Sequence, residues 1–182
     1  MLKLSDNPPQ RYPEAAELAE LPGNWWVAHT KSRFEKAFAW DLLHHGVPYY
    51  LPMVEQTRIS SGKKRRVLNP LFTSYVFFCG NDEQRYQALA TNRLCQTLPV
   101  NDPTTLVRQL RQIEQAVGRH ARLDLCRVME VGRRCRVRSG LFRGMEGAVV
   151  QRRGATTIIL EVSMLGQGAA MEIDADLLES ME

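Results

Sequence analysis

The sequence predicts an α+β domain, an antiparallel sheet with helices packed on it, followed by a small β-barrel. Three observations predict it. Between residues 24 and 118, strand-like runs alternate with helices that carry caps and apolar stripes. From residue 131 onward the pattern becomes short strands punctuated by glycines at 132, 140, 144, 147, 154, 166 and 168, the pattern of a small barrel. Residues 119–130 lack strong periodicity and read as a linker. The expected organisation is an N-terminal extension over 1–23, partly disordered, a first domain over 24–118, the linker over 119–130 and the barrel over 131–182.

The elements follow in order. Asn7-Pro8-Pro9 and Leu21-Pro22-Gly23 punctuate the extension, with room for a short helix at Glu14 to Leu21. Trp25 to Thr30 reads as a strand. Ser32-Arg33-Phe34-Glu35 matches a capping box, and Phe34, Ala37, Phe38 and Leu42 form the apolar stripe of the helix it would open. Gly46 closes that helix. Val47 to Met53, with Tyr49 and Tyr50, returns as a strand, giving a β-α-β start. Val54 to Leu68 is polar and basic, a hairpin or exposed loop with its turn at Ser60-Ser61-Gly62. Asn69 to Phe78 is the central strand, rich in bulky residues that fit a pleated, half-buried surface. Asn81-Asp82 caps a helix toward Ala90, and Leu94 to Val100 is another strand. Asp102-Pro103 opens a helix striped by Leu106, Leu110, Ile113 and Val117 and closed by Gly118. The barrel strands are Cys135–Val137, Gly147–Val150, Thr156–Val162 and Ala170–Ile173, with Gly147 marking a bulge or sharp bend.

A chain of 182 residues, 44% hydrophobic and 24% charged, can bury a real core. Its charge is unevenly spread. Arginine outnumbers lysine 19 to 5; six arginines face the single acid Glu130 between Arg127 and Arg143, while five acids face no base from Glu172 to Glu182. A net charge of +4 distributed in this way suggests an acidic partner, most simply nucleic acid. Cys79, Cys95, Cys126 and Cys135 form no C-x-x-C pair, which argues against structural zinc. Free thiols fit a reducing cytosol, and no run is long and apolar enough for a leader or a membrane span. The expectation is a cytoplasmic monomer without metal or cofactor. Catalysis is disfavoured. His29, Asp41, His44 and His45 have no nucleophile motif, phosphate loop or metal spacing around them, and imidazoles at a helix end suit the helix dipole.

Three stretches, in this order, resemble the NusG family of bacterial transcription elongation factors. They are Trp25-Trp26-Val27 with the helix after Phe34-Glu35-Lys36; Pro70-Leu71-Phe72-Thr73-Ser74-Tyr75-Val76-Phe77; and Val131 to Val137 with Gly140-Leu141-Phe142-Arg143-Gly144-Met145-Glu146-Gly147, which looks like a KOW motif. Ser163-Met164-Leu165-Gly166 through Ile173 is similar to the last strands of that SH3-like barrel. Gly62-Lys63-Lys64-Arg65 shortly before Pro70-Leu71-Phe72 resembles the specialised RfaH-like antitermination paralogs.

The resemblance implies a NusG N-terminal-type domain that grips the clamp helices of RNA polymerase. Phe72 and Tyr75 match the family's aromatic positions, with Tyr49 and Phe77 flanking them. Two aromatics suit an interface anchor because they offer large contact area at low entropic cost. The Thr73-Ser74 pair departs from the family's Pro-Gly or Pro-Asn. In RfaH-like factors the same domain touches the displaced non-template DNA strand, and the matching positions are Lys31, Asn92 and Arg93. On charge alone, Arg33 and Lys36 are added as backbone contacts, and Lys63, Lys64 and Arg65 as contacts to nucleic acid or polymerase. The KOW barrel is implied to recruit termination factor Rho or a small-subunit ribosomal protein through Leu165, with Met164 and Phe142 beside it. The β-branched run Thr156 to Val162 favours a constitutive barrel over a helical hairpin. The rival is an RNA-binding or ribosome-associated KOW protein that makes no polymerase contact.

Overall fold

In the computed structural model, which describes residues 6–60, 62–127, 132–152 and 154–181, the chain divides between Pro103 and Thr104 into two units. The first unit opens with a two-residue strand, β1 (Arg11–Tyr12). It continues through β2 (Asn24–Thr30), α1 (Glu35–His44), β3 (Tyr49–Tyr50), β4 (Met53–Ser60), β5 (Lys63–Pro70), β6 (Tyr75–Gly80), α2 (Asp82–Ala90) and β7 (Leu94–Pro99). Five strands make one sheet in the order β1-β3-β6-β2-β7, and β4 and β5 form a separate two-stranded ribbon. Both β2 and β3 pair antiparallel with β6, so they run parallel to each other with β6 between them. The predicted β-α-β start is therefore present, with a third strand inserted into it.

One face of this sheet packs on α1 and α2 through Trp26, Phe38, Leu42, Tyr49, Phe78 and Ala88. Trp26 stacks on Phe78 at 5.6 Å, and Phe38 meets Phe78 edge-on at 6.1 Å. Side chains alternate along a strand, so Trp25, Val27, Phe77 and Cys79 point to the opposite face, where they too are buried. Strands buried on both faces read as continuous apolar runs, which is why β2 and β6 were legible.

Local details depart from the sequence reading. The segment expected as a loose extension is built into the unit from Asn7 to Leu21. β1 pairs with β3, Gln10 accepts from the Leu51 N–H at 2.7 Å, and Leu18 is fully buried. The expected single strand from Asn69 to Phe78 is two strands: β5 ends at Pro70, a turn runs through Leu71–Ser74, and β6 starts at Tyr75. The capping box at Ser32 does not form; α1 begins at Glu35 with no side-chain cap. Gly46 does close α1, in a left-handed conformation with Val47 N–H bonded to Leu42 O and Gly46 N–H to Leu43 O, the two bonds of a Schellman cap. Asn81 caps α2 reciprocally with Gln84, each side chain bonding the other's backbone N–H at 2.9 Å.

The second unit holds α3 (Pro103–Gly118) from its second residue onward, β8 (Asp124–Arg127), β9 (Arg133–Val137), β10 (Glu146–Arg152), β11 (Ala155–Val162), β12 (Gln167–Glu172) and β13 (Leu178–Ser180). Its six strands form an antiparallel sheet in the order β13-β9-β10-β11-β12-β8, the β-rich region expected from the glycine-punctuated sequence. The sequence reading grouped α3 with the first domain. Its polar contacts run to the sheet instead: Gln109 bonds Ser163 both ways at 2.5 and 3.1 Å, and Gln112 accepts from the Glu146 N–H at 2.6 Å. α3 ends at Gly118, but the left-handed residue of its cap is His120. Part of the expected linker, Asp124 to Arg127, is strand β8 paired with β12. Linker residues 128–130, Val131 and the hairpin's Ser61 lie outside the described residues. Gly147 makes no bulge; it pairs in register with Cys135, and a Cβ there would fall 2.3 Å from Ile159 O. It is glycine because a neighbouring backbone approaches too closely for any side chain.

Candidate nucleic-acid interface

Three segments distant in sequence meet where β2 ends. Lys31 N–H donates to Arg93 O at 2.8 Å, which continues the β2–β7 pairing one step past Thr30. The Lys31 ammonium donates to Asn92 O at 2.8 Å and to Asn92 Oδ1 at 3.1 Å. Asn92 adopts a left-handed conformation, φ 57°, in the turn after α2; asparagine tolerates that region better than most residues. Arg93 Nε donates to Asp41 Oδ2 of α1 at 3.0 Å, and its guanidinium sits 5.3 Å from the centroid of the Phe34 ring. Arg33, also left-handed with φ 67°, completes the connection from β2 to α1. Lys31, Arg33, Phe34 and Asn92 are exposed and Arg93 is half-buried.

The turn bearing the candidate polymerase contacts adjoins the same strand end. Thr30 N–H donates to Ser74 O at 2.9 Å, and the His29 and Tyr75 rings stack at 5.1 Å. Ser74 is left-handed, φ 66°. Its N–H donates to Glu35 Oε1 at 2.7 Å, so a buried carboxylate at the start of α1 holds the turn.

The predicted site residues divide clearly. Lys31, Arg33, Asn92 and Arg93 come together. Lys36 is occupied elsewhere: its ammonium donates to Asn7 Oδ1 at 2.6 Å and to Leu68 O at 2.5 Å, and burial lowers its pKa, partly offset by the neighbouring Glu35. Lys63, Lys64 and Arg65 are exposed on the β4–β5 ribbon. Of the four aromatics, Tyr75 is partly exposed, whereas Phe72, Phe77 and Tyr49 are at most 1% exposed. Phe72 meets Phe77 edge-on at 5.9 Å. The Tyr49 hydroxyl donates to Pro9 O at 2.8 Å, and burial pushes its pKa upward. Met164 is exposed and Leu165 half-buried on the short 3-10 turn Ser163–Leu165, which Gln109 holds in place. Phe142 lines a separate groove of about 700 Å³ with Leu125 and Met171.

Sequence reasoning missed Phe34, Glu35, Asp41 and His29 as parts of the site. In sequence Phe34 and Glu35 fit a helix stripe and a capping box, and nothing local signals their other partners. Among the described residues, no group of three or more His, Cys, Asp or Glu is placed to hold a metal, and no helix is long and apolar enough to cross a membrane. Exposed cations beside an exposed ring and an amide side chain can engage phosphate and stack or hydrogen-bond an unpaired base.

The family model described as transcription termination factor NusG matches residues 23–124. The chain belongs to the NusG family of transcription factors. Among solved structures it is similar to that reported for domain interaction in Thermotoga maritima NusG, at 19% identity, with 87% of this chain and 97% of that one covered and a TM-score of 0.44. It is also similar to the MjSpt4:Spt5 complex in conformation B, at 12% identity, with the same shares covered and a TM-score of 0.29. No curated protein sequence matches.

Proposed function

We propose that this chain is a transcription elongation and antitermination factor of the specialised RfaH-like kind. It binds RNA polymerase through the turn that carries Tyr75 and contacts the displaced non-template DNA strand through the adjoining cationic cluster. The observation that supports this most is the meeting of Lys31, Arg33, Asn92 and Arg93 beside the Tyr75–His29 stack. A protein contact and a single-strand contact adjoin at one strand end, as a factor bridging polymerase and DNA requires. Tyr75 presents the ring, stacked on His29, while Phe72 and Phe77 are buried and meet each other edge-on. The second unit, read as a KOW barrel, recruits a further factor, Rho or a small-subunit ribosomal protein, through Met164 and Leu165.

The test is a pull-down of purified RNA polymerase by the tagged protein. Tyr75→Ala is expected to reduce capture at least tenfold while near-UV circular dichroism stays native, and Lys31→Ala with Arg93→Ala to reduce single-strand crosslinking within the assembled complex. Native-folded Tyr75→Ala with undiminished polymerase capture overturns the reading.

A further inference from the structure

The β4–β5 ribbon carries a charge pattern that the polymerase and single-strand contacts do not explain. Residues 53–70 contain five cations and one acid, a net +4 equal to that of the entire chain. The acid, Glu55, sits toward the base of the ribbon and is paired with Arg66 at 3.4 Å. Lys63, Lys64, Arg65 and Arg66 are all exposed, and burial begins only at Val67. Side chains alternate along a strand, so Lys63 and Arg65 lie on one face of the ribbon and Lys64 and Arg66 on the other. Ile59, 72% exposed, lies directly across from Lys64 near the tip.

Cations on both faces distinguish two ways of meeting nucleic acid. A ribbon lying flat on one strand needs positive charge on one face. A ribbon inserted into a groove has a phosphate backbone on either side and uses both. The B-DNA major groove, about 12 Å wide, admits a two-stranded β-ribbon, whereas the major groove of an A-form RNA helix is too narrow for side chains to read. Eight-residue arms reach about 27 Å, enough to cross a groove with the base still anchored. From these observations we infer that the β4–β5 ribbon is an arm that enters the major groove of double-stranded DNA, with the cations of its two faces, Lys63 and Arg65 on one and Lys64 and Arg66 on the other, toward the flanking phosphates. This inference rests on the nucleic-acid reading of the same cations and adds the duplex as their ligand.

The experiment is a fluorescence-anisotropy titration of the full chain against a labelled 30-base-pair mixed-sequence DNA duplex, the corresponding RNA duplex and the single strand, over a series of KCl concentrations. It contains no polymerase, so its outcome is separate from that of the pull-down. The expected result is a preference for the DNA duplex. The double variants Lys63→Ala/Arg65→Ala and Lys64→Ala/Arg66→Ala should each lower the salt slope by about 2 and weaken binding at least tenfold. Dependence on one face only, equal or tighter binding to the RNA duplex, or no duplex binding in 50 mM KCl would each overturn the inference. Urea unfolding of each variant checks that the fold is intact.

Discussion

Cys79 shows how burial alone sets the chemistry of a residue in this protein. It lies in β6 with no exposed surface, and burial pushes its thiol from the ordinary 9.0 up to about 12. Between those values the unfolded chain has lost the proton and the folded chain keeps it. The folded state then binds more protons, so stability falls as pH rises through that window, by up to about 1.4 kcal/mol per pH unit. Tyr49, also raised by burial, acts with the same sign at higher pH; Lys36, lowered by burial, acts with the opposite sign. Urea midpoints of the parent and Cys79→Ala from pH 8 to 10 are expected to show a steeper alkaline decline in the parent; equal slopes would contradict the assignment. A similar point holds for the aromatics. Phe72 is a candidate contact because it matches the family's aromatic positions, and Phe77 because it flanks them, yet an aromatic ring suits a core as well as an interface. Their burial depends on which surfaces are covered, and strand alternation does not say that.

At the scale of elements, the joint between α1 and the β5–β6 turn holds the site. Glu35 reads in sequence as the second half of a capping box. In the structure it bonds Ser74 N–H, 39 residues away, and is 5% exposed. The exchange is physically sensible. A helix N-terminus in solvent can bond water, whereas a turn with a left-handed serine needs its N–H satisfied locally. Thr73-Ser74, where the family pattern has Pro-Gly or Pro-Asn, thus achieves the turn with a tertiary bond in place of local turn preference. Glu35→Ala should destabilise the protein by about 1–3 kcal/mol through the unpaired N–H. It should also weaken polymerase capture by loosening Tyr75, while Glu35→Gln, which keeps an acceptor oxygen, recovers most of both. A stability loss with unchanged capture in Glu35→Ala would show that the bond only holds the fold. Asn81 on α2 and Gly46 after α1 do form the caps that the sequence predicts, because among the described residues no tertiary partner competes for them as Ser74 N–H does for Glu35.

On the scale of the whole molecule, the chain is two units, and the second carries α3 as well as the six-stranded sheet. The β-branched run at residues 155–162 is a strand bonded on both sides, to β10 and β12. Its sequence preference and its pairing agree, so a fragment spanning residues 104–182 is expected to give a far-UV circular dichroism spectrum of strand with the contribution of one helix. A mainly helical spectrum would show that this unit depends on the first for its fold.

By itself the sequence determined the α+β class, the order of nearly every helix and strand, and the polar, basic character of residues 54–68. These follow from periodicity, caps and charge, which are properties of near neighbours. Only the tertiary structure decided that Lys31 would lock to Asn92, 61 residues away, that Arg93 would sit over Phe34, and that Tyr75 alone among four aromatics would stay partly exposed. Each depends on strand order and register, which are fixed by long-range pairing and shared burial. The same pairing split the aromatic stretch from Asn69 to Phe78 at the Leu71–Ser74 turn, leaving Asn69 and Pro70 at the base of the cationic ribbon and Val76, Phe77 and Phe78 in the core.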